Sequence, residues 1–233
     1  MGDLNNDADT LSMWDHVYDF ADQKIKVHED YDAGLGGTLF DGALCLCNYM
    51  EYLDGQRSRA YWKGLRIVEL GAGCGLPGML AASLGATVEI TDIEETVELI
   101  EENVEENSAV IRENATPRVL DWNDVETLEA CEPYDVILAA DTVYSETAVP
   151  LFIRVLEKLS TSATEILFAH PKPRKEQASD LFWAEWERRG HEVLKVLPEH
   201  FGAKGEKGAG FYGRNGVFVL RCNSKNNDVV VHE

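Results

Sequence analysis

The 233-residue chain predicts a single α/β domain: one mostly parallel seven-stranded sheet with helices on both faces and an antiparallel last strand. Three observations predict it. From residue 66 onward, short β-rich runs alternate with helical patterns, the mark of parallel strands joined by crossover helices. A glycine-rich turn, Glu69-Leu70-Gly71-Ala72-Gly73-Cys74-Gly75, falls between the first such run and the first such helix. The last two runs, 192–197 and 217–222, are joined by a loop containing Gly202, Gly205, Gly208 and Gly210. No crossover helix is visible there, so the two pair antiparallel.

Taken in order, residues 1–13 are polar and expected to fray. Residues 16–20 and 24–28, broken at Ala21-Asp22-Gln23, suit a β-hairpin. Residues 32–37 read as a glycine-rich loop, and Thr38 as the cap of a helix running through Leu44, Leu46, Tyr49 and Met50. The strand at 66–70 leads through the glycine turn to a helix with Pro77 in its first turn, where a missing N–H is tolerated. After the strand at 87–91, Ile93, Val97, Ile100 and Val104 recur at helical spacing. Strands at 118–120, 134–140 and 165–169 follow, with helices at 149–159 and 178–188. The organisation is an N-terminal extension over 1–33, a core over 34–222 and a disordered tail over 223–233.

Composition narrows the function. No apolar run approaches the roughly 18 residues of a membrane span, and no apolar leader core follows the N-terminus. Met1-Gly2 lacks the Ser or Thr that myristoylation wants, since Asn6 stands there. The expectation is a cytoplasmic, or also nuclear, monomer without a membrane partner. A formal charge of -21 opposes nucleic acid as partner, because phosphate binding needs a basic footprint. It suits a protein partner with a basic surface, and equally plain solubility. The five cysteines, Cys45, Cys47, Cys74, Cys131 and Cys222, have no disulfide or metal spacing and read as packed thiols. Glu94, Glu95, Glu98, Glu101, Glu102, Glu105 and Glu106 read as the solvated face of their helix.

The glycine turn carries the chemistry. Glycines let backbone approach a ligand, and a helix N-terminus offers free N–H groups. The dinucleotide fingerprint is not met: the third glycine arrives one position early, and Leu76 fills its place. Glu69, two residues before Gly71, would repel a pyrophosphate but suits a cationic amino group. Asp92 ends the second strand, where an acid binds a ribose diol. These features favour S-adenosyl-L-methionine over NAD. Trp122, after the third strand, is placed to stack on adenine, or equally to pack in the core, with Asp121 or a backbone group beside it.

The chain resembles methyltransferase family 16, the "methyltransferase-like" protein-lysine methyltransferases, from about Gly34 to Leu197. Val68 through Leu76 looks like that family's first motif, and Val88-Glu89-Ile90-Thr91-Asp92 like its second strand. Asp121-Trp122 resembles its tryptophan after the third strand. Asp135 through Tyr144 carries its Asp-x-x-Tyr hallmark in Asp141 and Tyr144. Phe40-Asp41-Gly42-Ala43 resembles a segment that usually reads Trp-Asp-Ala-Ala, with Phe40 in place of the tryptophan and Gly42 in place of an alanine.

The resemblance implies a Rossmann-like class I methyltransferase fold and a protein lysine as methyl acceptor. It assigns catalysis to Asp141 and Tyr144. Cofactor binding falls to Phe40, Glu69, Gly71, Ala72, Gly73, Asp92, Trp122 and Ala140, with no metal. From the residues alone, Asp141 also reads as a helix cap, Tyr144 as a core aromatic, and His170 as a base or a structural histidine. Two other functions stay open: transfer to another nucleophile, such as a protein histidine or a small molecule, and a cofactor-holding module without turnover. The intact Glu69, Gly71, Gly73 and Asp92 argue against the second.

Overall fold

The computed structural model describes residues 15–58, 60–171, 177–200 and 215–223. The expected fraying of 1–13, the glycine-rich loop at 202–210 and the tail from 224 lie outside these residues. The chain opens with a two-stranded antiparallel hairpin, β1 (Asp15–Phe20) and β2 (Gln23–His28), as the sequence predicts. A 3-10 segment (Tyr31–Gly37) and helix α1 (Asp41–Gln56) follow. The alternating region is β3 (Arg66–Leu70), α2 (Leu76–Ser83), β4 (Thr87–Asp92), α3 (Glu94–Glu106), α4 (Ser108–Ile111), β5 (Ala115–Val119), α5 (Val125–Ala130), β6 (Val136–Ala140), α6 (Ala148–Leu159), β7 (Glu165–Pro171), α7 (Gln177–Arg188), β8 (Glu192–Lys195) and β9 (Asn215–Arg221).

The seven strands order as β5-β4-β3-β6-β7-β9-β8. β5 through β7 are parallel, and β9 runs antiparallel to both its neighbours. Strand order reverses between β3 and β6, which opens a crevice beyond their carboxyl ends. Alternation along each strand feeds two cores. Ile67, Val136 and Leu167 pack on the face covered by α1, α2 and the hairpin. Val68, Ile137 and Phe168 pack on the opposite face, under α6 and α7. The N-terminal extension is thereby part of the domain. Ile25 and Val27 are fully buried, and Asn103 of α3 and Asn107, which caps its C-terminus, bond the backbone of His28 and Lys26.

Two expectations need correction. Thr38 does not cap α1: Phe40 holds the capping position and makes no side-chain cap bond. The third strand is 115–119 and not 118–120. Pro117 hides it from a propensity reading, but β5 is an edge strand, where proline is tolerated. The helices α4 and α5 are too short to show a period. Cys45 and Cys47 are both fully buried despite facing different ways on α1, because that helix contacts α2, the sheet and β1.

Candidate active site

β3 delivers the glycine turn to the crevice. Gly71, Gly73 and Gly75 take left-handed backbone angles (φ 60°, 55° and 77°), which side-chain-bearing residues seldom adopt. The turn is also crowded. A Cβ on Gly71 would lie 2.9 Å from Thr142 Cγ2, and one on Gly73 would lie 3.0 Å from the Gly36 carbonyl oxygen. The turn is therefore a cradle with room for backbone and ligand but not for side chains. The sequence predicts a loop where the 3-10 segment provides Gly36, and its glycines are the signal that marks it.

Two acids secure the cradle. Glu69 is 2% exposed, and its Oε2 accepts the Gly78 N–H at 2.8 Å in the first turn of α2. Burial pushes its carboxyl up to about 8, against the lowering effect of the Gly78 bond. Asp92 accepts the Gly73 N–H on Oδ2 and the Ile93 N–H on Oδ1, each at 2.8 Å. Burial raises its carboxyl too, with those two bonds opposing. Each oxygen retains a second lone pair for a donor such as a ribose hydroxyl.

Asp141 follows β6 with φ 55°, a left-handed backbone. Its N–H donates to the Ala169 carbonyl at 3.0 Å. Its Oδ2 accepts the Gly42 N–H at 2.8 Å, so it caps the first turn of α1 from 99 positions away. The capping reading of Asp141 is thus realised, on a helix remote in sequence. Tyr144 is no core aromatic: it is 70% exposed. Phe40 is 41% exposed. The Trp122 ring sits 5.2 Å from Phe152, and its Cζ2 lies 3.6 Å from where a Gly71 Cβ would be. Arg154 holds the Trp122 carbonyl. Asp121 Oδ1 accepts from the backbone and side-chain amides of Asn123 (2.8 and 2.9 Å).

Phe40, Glu69, Gly71, Ala72, Gly73, Asp92, Trp122, Ala140, Asp141 and Tyr144 all line one cavity of about 1010 Å³. Leu35, Gly36, Ile93 and Thr142 line it as well, and the sequence reading passed over them. His170 is not among its lining residues. It is 1% exposed, its Nε2 lies 2.9 Å from Ser179 Oγ, and it stacks on Phe168. Burial pushes it down to about 4, so it is a neutral packed residue at pH 7. The acidic residues of α3 are all exposed, while Val97, Leu99, Ile100 and Asn103 face inward. Among the described residues no group of His, Cys, Asp and Glu could hold a metal ion, and no helix is long and apolar enough to cross a membrane.

A family model described as lysine methyltransferase matches residues 19–187. The protein N-lysine methyltransferase METTL21A of Danio rerio is 36% identical over 154 residues, which is 65% of this chain and 68% of that one. The EEF1A lysine methyltransferase 3 of Xenopus tropicalis is 31% identical over 201 residues, 84% of this chain and 80% of that one. Among solved structures, the T. Thermophilus 16S rRNA N2 G1207 methyltransferase in complex with AdoMet and guanosine superposes with a TM-score of 0.59. It is 17% identical, covers 90% of this chain and is itself covered to 50%, a likeness of fold.

Proposed function

The chain belongs to the lysine methyltransferase family and is an S-adenosylmethionine-dependent methyltransferase, and on that premise we propose that its acceptor is a lysine on the basic surface of a protein substrate. The observation that carries this reading is the Asp141 carboxylate. It is fixed in the wall of the cavity that the glycine cradle also lines, with Tyr144 exposed three residues on.

The cradle tests the fit of the cofactor. Gly71 and Gly73 leave no room for side chains, and Asp92 stands at the end of β4 with acceptor capacity left for a diol. Gly71, Ala72, Gly73 and Asp92 would hold the nucleoside side, with Trp122 along the ring, and Glu69, Phe40 and Ala140 would close the amino-acid side. When bound, the cofactor supplies an electrophilic methyl group on a sulfonium.

The residues at the acceptor end do the rest. Deprotonating a lysine at pH 7 costs about 4–5 kcal/mol from its reference pKa. Apolar lining lowers that cost by disfavouring the ammonium, whereas Asp141 raises it. Asp141 therefore captures and aims the amine and does not deprotonate it. Orientation of this kind supplies much of a transfer rate. Tyr144 offers a ring face and a hydroxyl at the rim to the incoming side chain.

The charge of -21 and the acids Asp41 and Asp121 on the cavity lining support a basic protein substrate over nucleic acid. We place the protein in the cytoplasm, and in the nucleus as well, as a monomer. The test is transfer of tritiated methyl from S-adenosylmethionine into a cell lysate, followed by mass spectrometry of the labelled band. Purified EEF1A serves as a first candidate, on the strength of the relative's name. Label on a lysine is the expected result. Label confined to another residue type or to nucleic acid, or no label at all, contradicts the proposal.

A further inference from the structure

The cavity presents acids to a ligand that is itself partly anionic. Asp41, Glu69, Asp92, Asp121 and Asp141 line it, and among the described lining residues there is no lysine, arginine or histidine. The ammonium of S-adenosylmethionine therefore has acids to meet, whereas its methionine carboxylate finds no cation and needs neutral donors. The glycine turn has few to give. The N–H groups of Ala72, Gly73 and Gly75 are already committed, to the Thr91 carbonyl, the Asp92 carboxylate and the Ala72 carbonyl.

One hydroxyl on the wall lacks a partner. Thr142 lines the cavity and is 4% exposed, and its Oγ1 is buried with no hydrogen bond among the described residues. A buried hydroxyl without a hydrogen bond is costly, so a site that keeps one is set to satisfy it from elsewhere. Its place follows from the turn. Thr142 comes two residues after Ala140 and directly after Asp141, and its Cγ2 lies 2.9 Å from where a Gly71 Cβ would be. The methyl thus faces the cradle, and one step of about 120° between staggered rotamers puts the hydroxyl in its place.

We propose that the Thr142 hydroxyl donates a hydrogen bond to the methionine carboxylate of S-adenosylmethionine, turning into the cradle as the cofactor enters. This rests on the placement of the cofactor's amino-acid side against Ala140 and Glu69 above, and not on the identity of the acceptor. Thr142 is a cofactor-binding residue in this account and takes no part in capturing the amine. A neutral donor suits the position, because a cation there would itself pair with the carboxylates around it.

Melting and calorimetry of Thr142→Val and Thr142→Ser, each against the wild type, test it. Valine nearly keeps the shape and removes the hydroxyl. Without ligand its Tm is expected to rise by about 2–4 °C, because a buried unpaired group is gone. Its Kd for S-adenosylmethionine is expected to rise roughly tenfold, through loss of a hydrogen bond to a charged group. S-adenosylhomocysteine, which keeps the carboxylate, should lose as much. Decarboxylated S-adenosylmethionine, which keeps the ammonium and lacks the carboxylate, should bind the valine variant and the wild type within about twofold of each other. Serine should hold the affinity for S-adenosylmethionine within about threefold of wild type. An unchanged Kd for S-adenosylmethionine in the valine variant overturns the proposal, and so does an equal loss for the decarboxylated ligand. A lowered Tm with weaker binding of all three ligands also overturns it, because a merely loosened fold would give that result. If the wild type binds no S-adenosylmethionine, the proposal falls with the cofactor's placement, whereas failure to label a lysine strikes only the acceptor reading.

Discussion

The ends of β3 and β6 carry the same device put to different ends. At each, a carboxylate accepts a backbone N–H in the first turn of a helix at 2.8 Å: Glu69 from Gly78 in the helix that follows it, Asp141 from Gly42 in a helix remote in sequence. At each, the donor is a glycine whose Cβ would collide with the acid, at 2.5 Å and 2.3 Å. The surroundings differ. Glu69 lines the cavity but is buried, and burial shifts it up to about 8, so without ligand it is mostly protonated at pH 7. Asp141 lies in the wall of an open cavity, next to the exposed Tyr144. The anchor sets where each carboxylate sits, and burial sets what it can do. The first braces the cradle, and the second is the one proposed above to meet an incoming amine.

The largest expected effect falls on the cradle. Gly73→Arg forces a side chain onto a left-handed backbone and against the Gly36 carbonyl, so S-adenosylmethionine affinity should drop at least about 100-fold by calorimetry with the circular dichroism spectrum retained. Binding within a few-fold of wild type would move the cofactor elsewhere.

Next comes the buried anchor. A Cβ at Gly78 meets Ile90 Cγ1 at 2.7 Å as well as Glu69. Gly78→Ala should therefore destabilise the protein by roughly 1–3 kcal/mol through overpacking, which is more than Gly42→Ala does, where the nearest atoms belong to the Asp141 side chain. Denaturant melts of the two variants make the comparison, and an equal or smaller loss at Gly78 would erase the distinction drawn here.

The pH dependence of stability separates the strand ends further. Folded Glu69 keeps its proton up to about 8, whereas unfolded it loses it near 4.5, so the folded state binds more protons and stability falls as pH rises across that window. His170, at the end of β7, stays neutral when folded down to about 4 but protonates near 6.5 when unfolded. Its contribution is therefore lost as pH falls from 6.5 to 4. The two oppose each other between 4.5 and 6.5, and Glu69 acts alone above that. Denaturation of the unliganded protein should show stability declining from pH 6.5 to 8 in the wild type and not in Glu69→Gln. His170→Gln should lose the acid-side decline. An identical slope in Glu69→Gln would remove the buried acid from the account.

How much of this was legible depended on distance along the chain. The cradle is local: Glu69, the glycines, Pro77 and Asp92 lie within 24 positions, and strand, turn, helix and strand could be read in order. The acceptor end is not local. Its defining bond joins residues 99 apart, and no period or spacing announces it. That is why the sequence points to Thr38 as the cap of α1. Local rules look for a serine, threonine, aspartate or asparagine just before the helix, whereas here the cap comes from Asp141. Only the Asp-x-x-Tyr resemblance singled out Asp141, and it gave no hint of Gly42. β5 was misplaced because an edge strand carries proline and few apolar residues.

The claim that the two anchored acids divide the work is tested most directly by Asp141→Asn. The variant keeps a carbonyl oxygen for the Gly42 N–H and loses only the charge. Calorimetric affinity for S-adenosylmethionine and single-turnover methylation of the labelled protein would be measured on one preparation. The account predicts affinity within about threefold of wild type and transfer slowed roughly 100-fold or more, because the amine is no longer captured and aimed. Transfer at the wild-type rate, or affinity falling in step with rate, would contradict it.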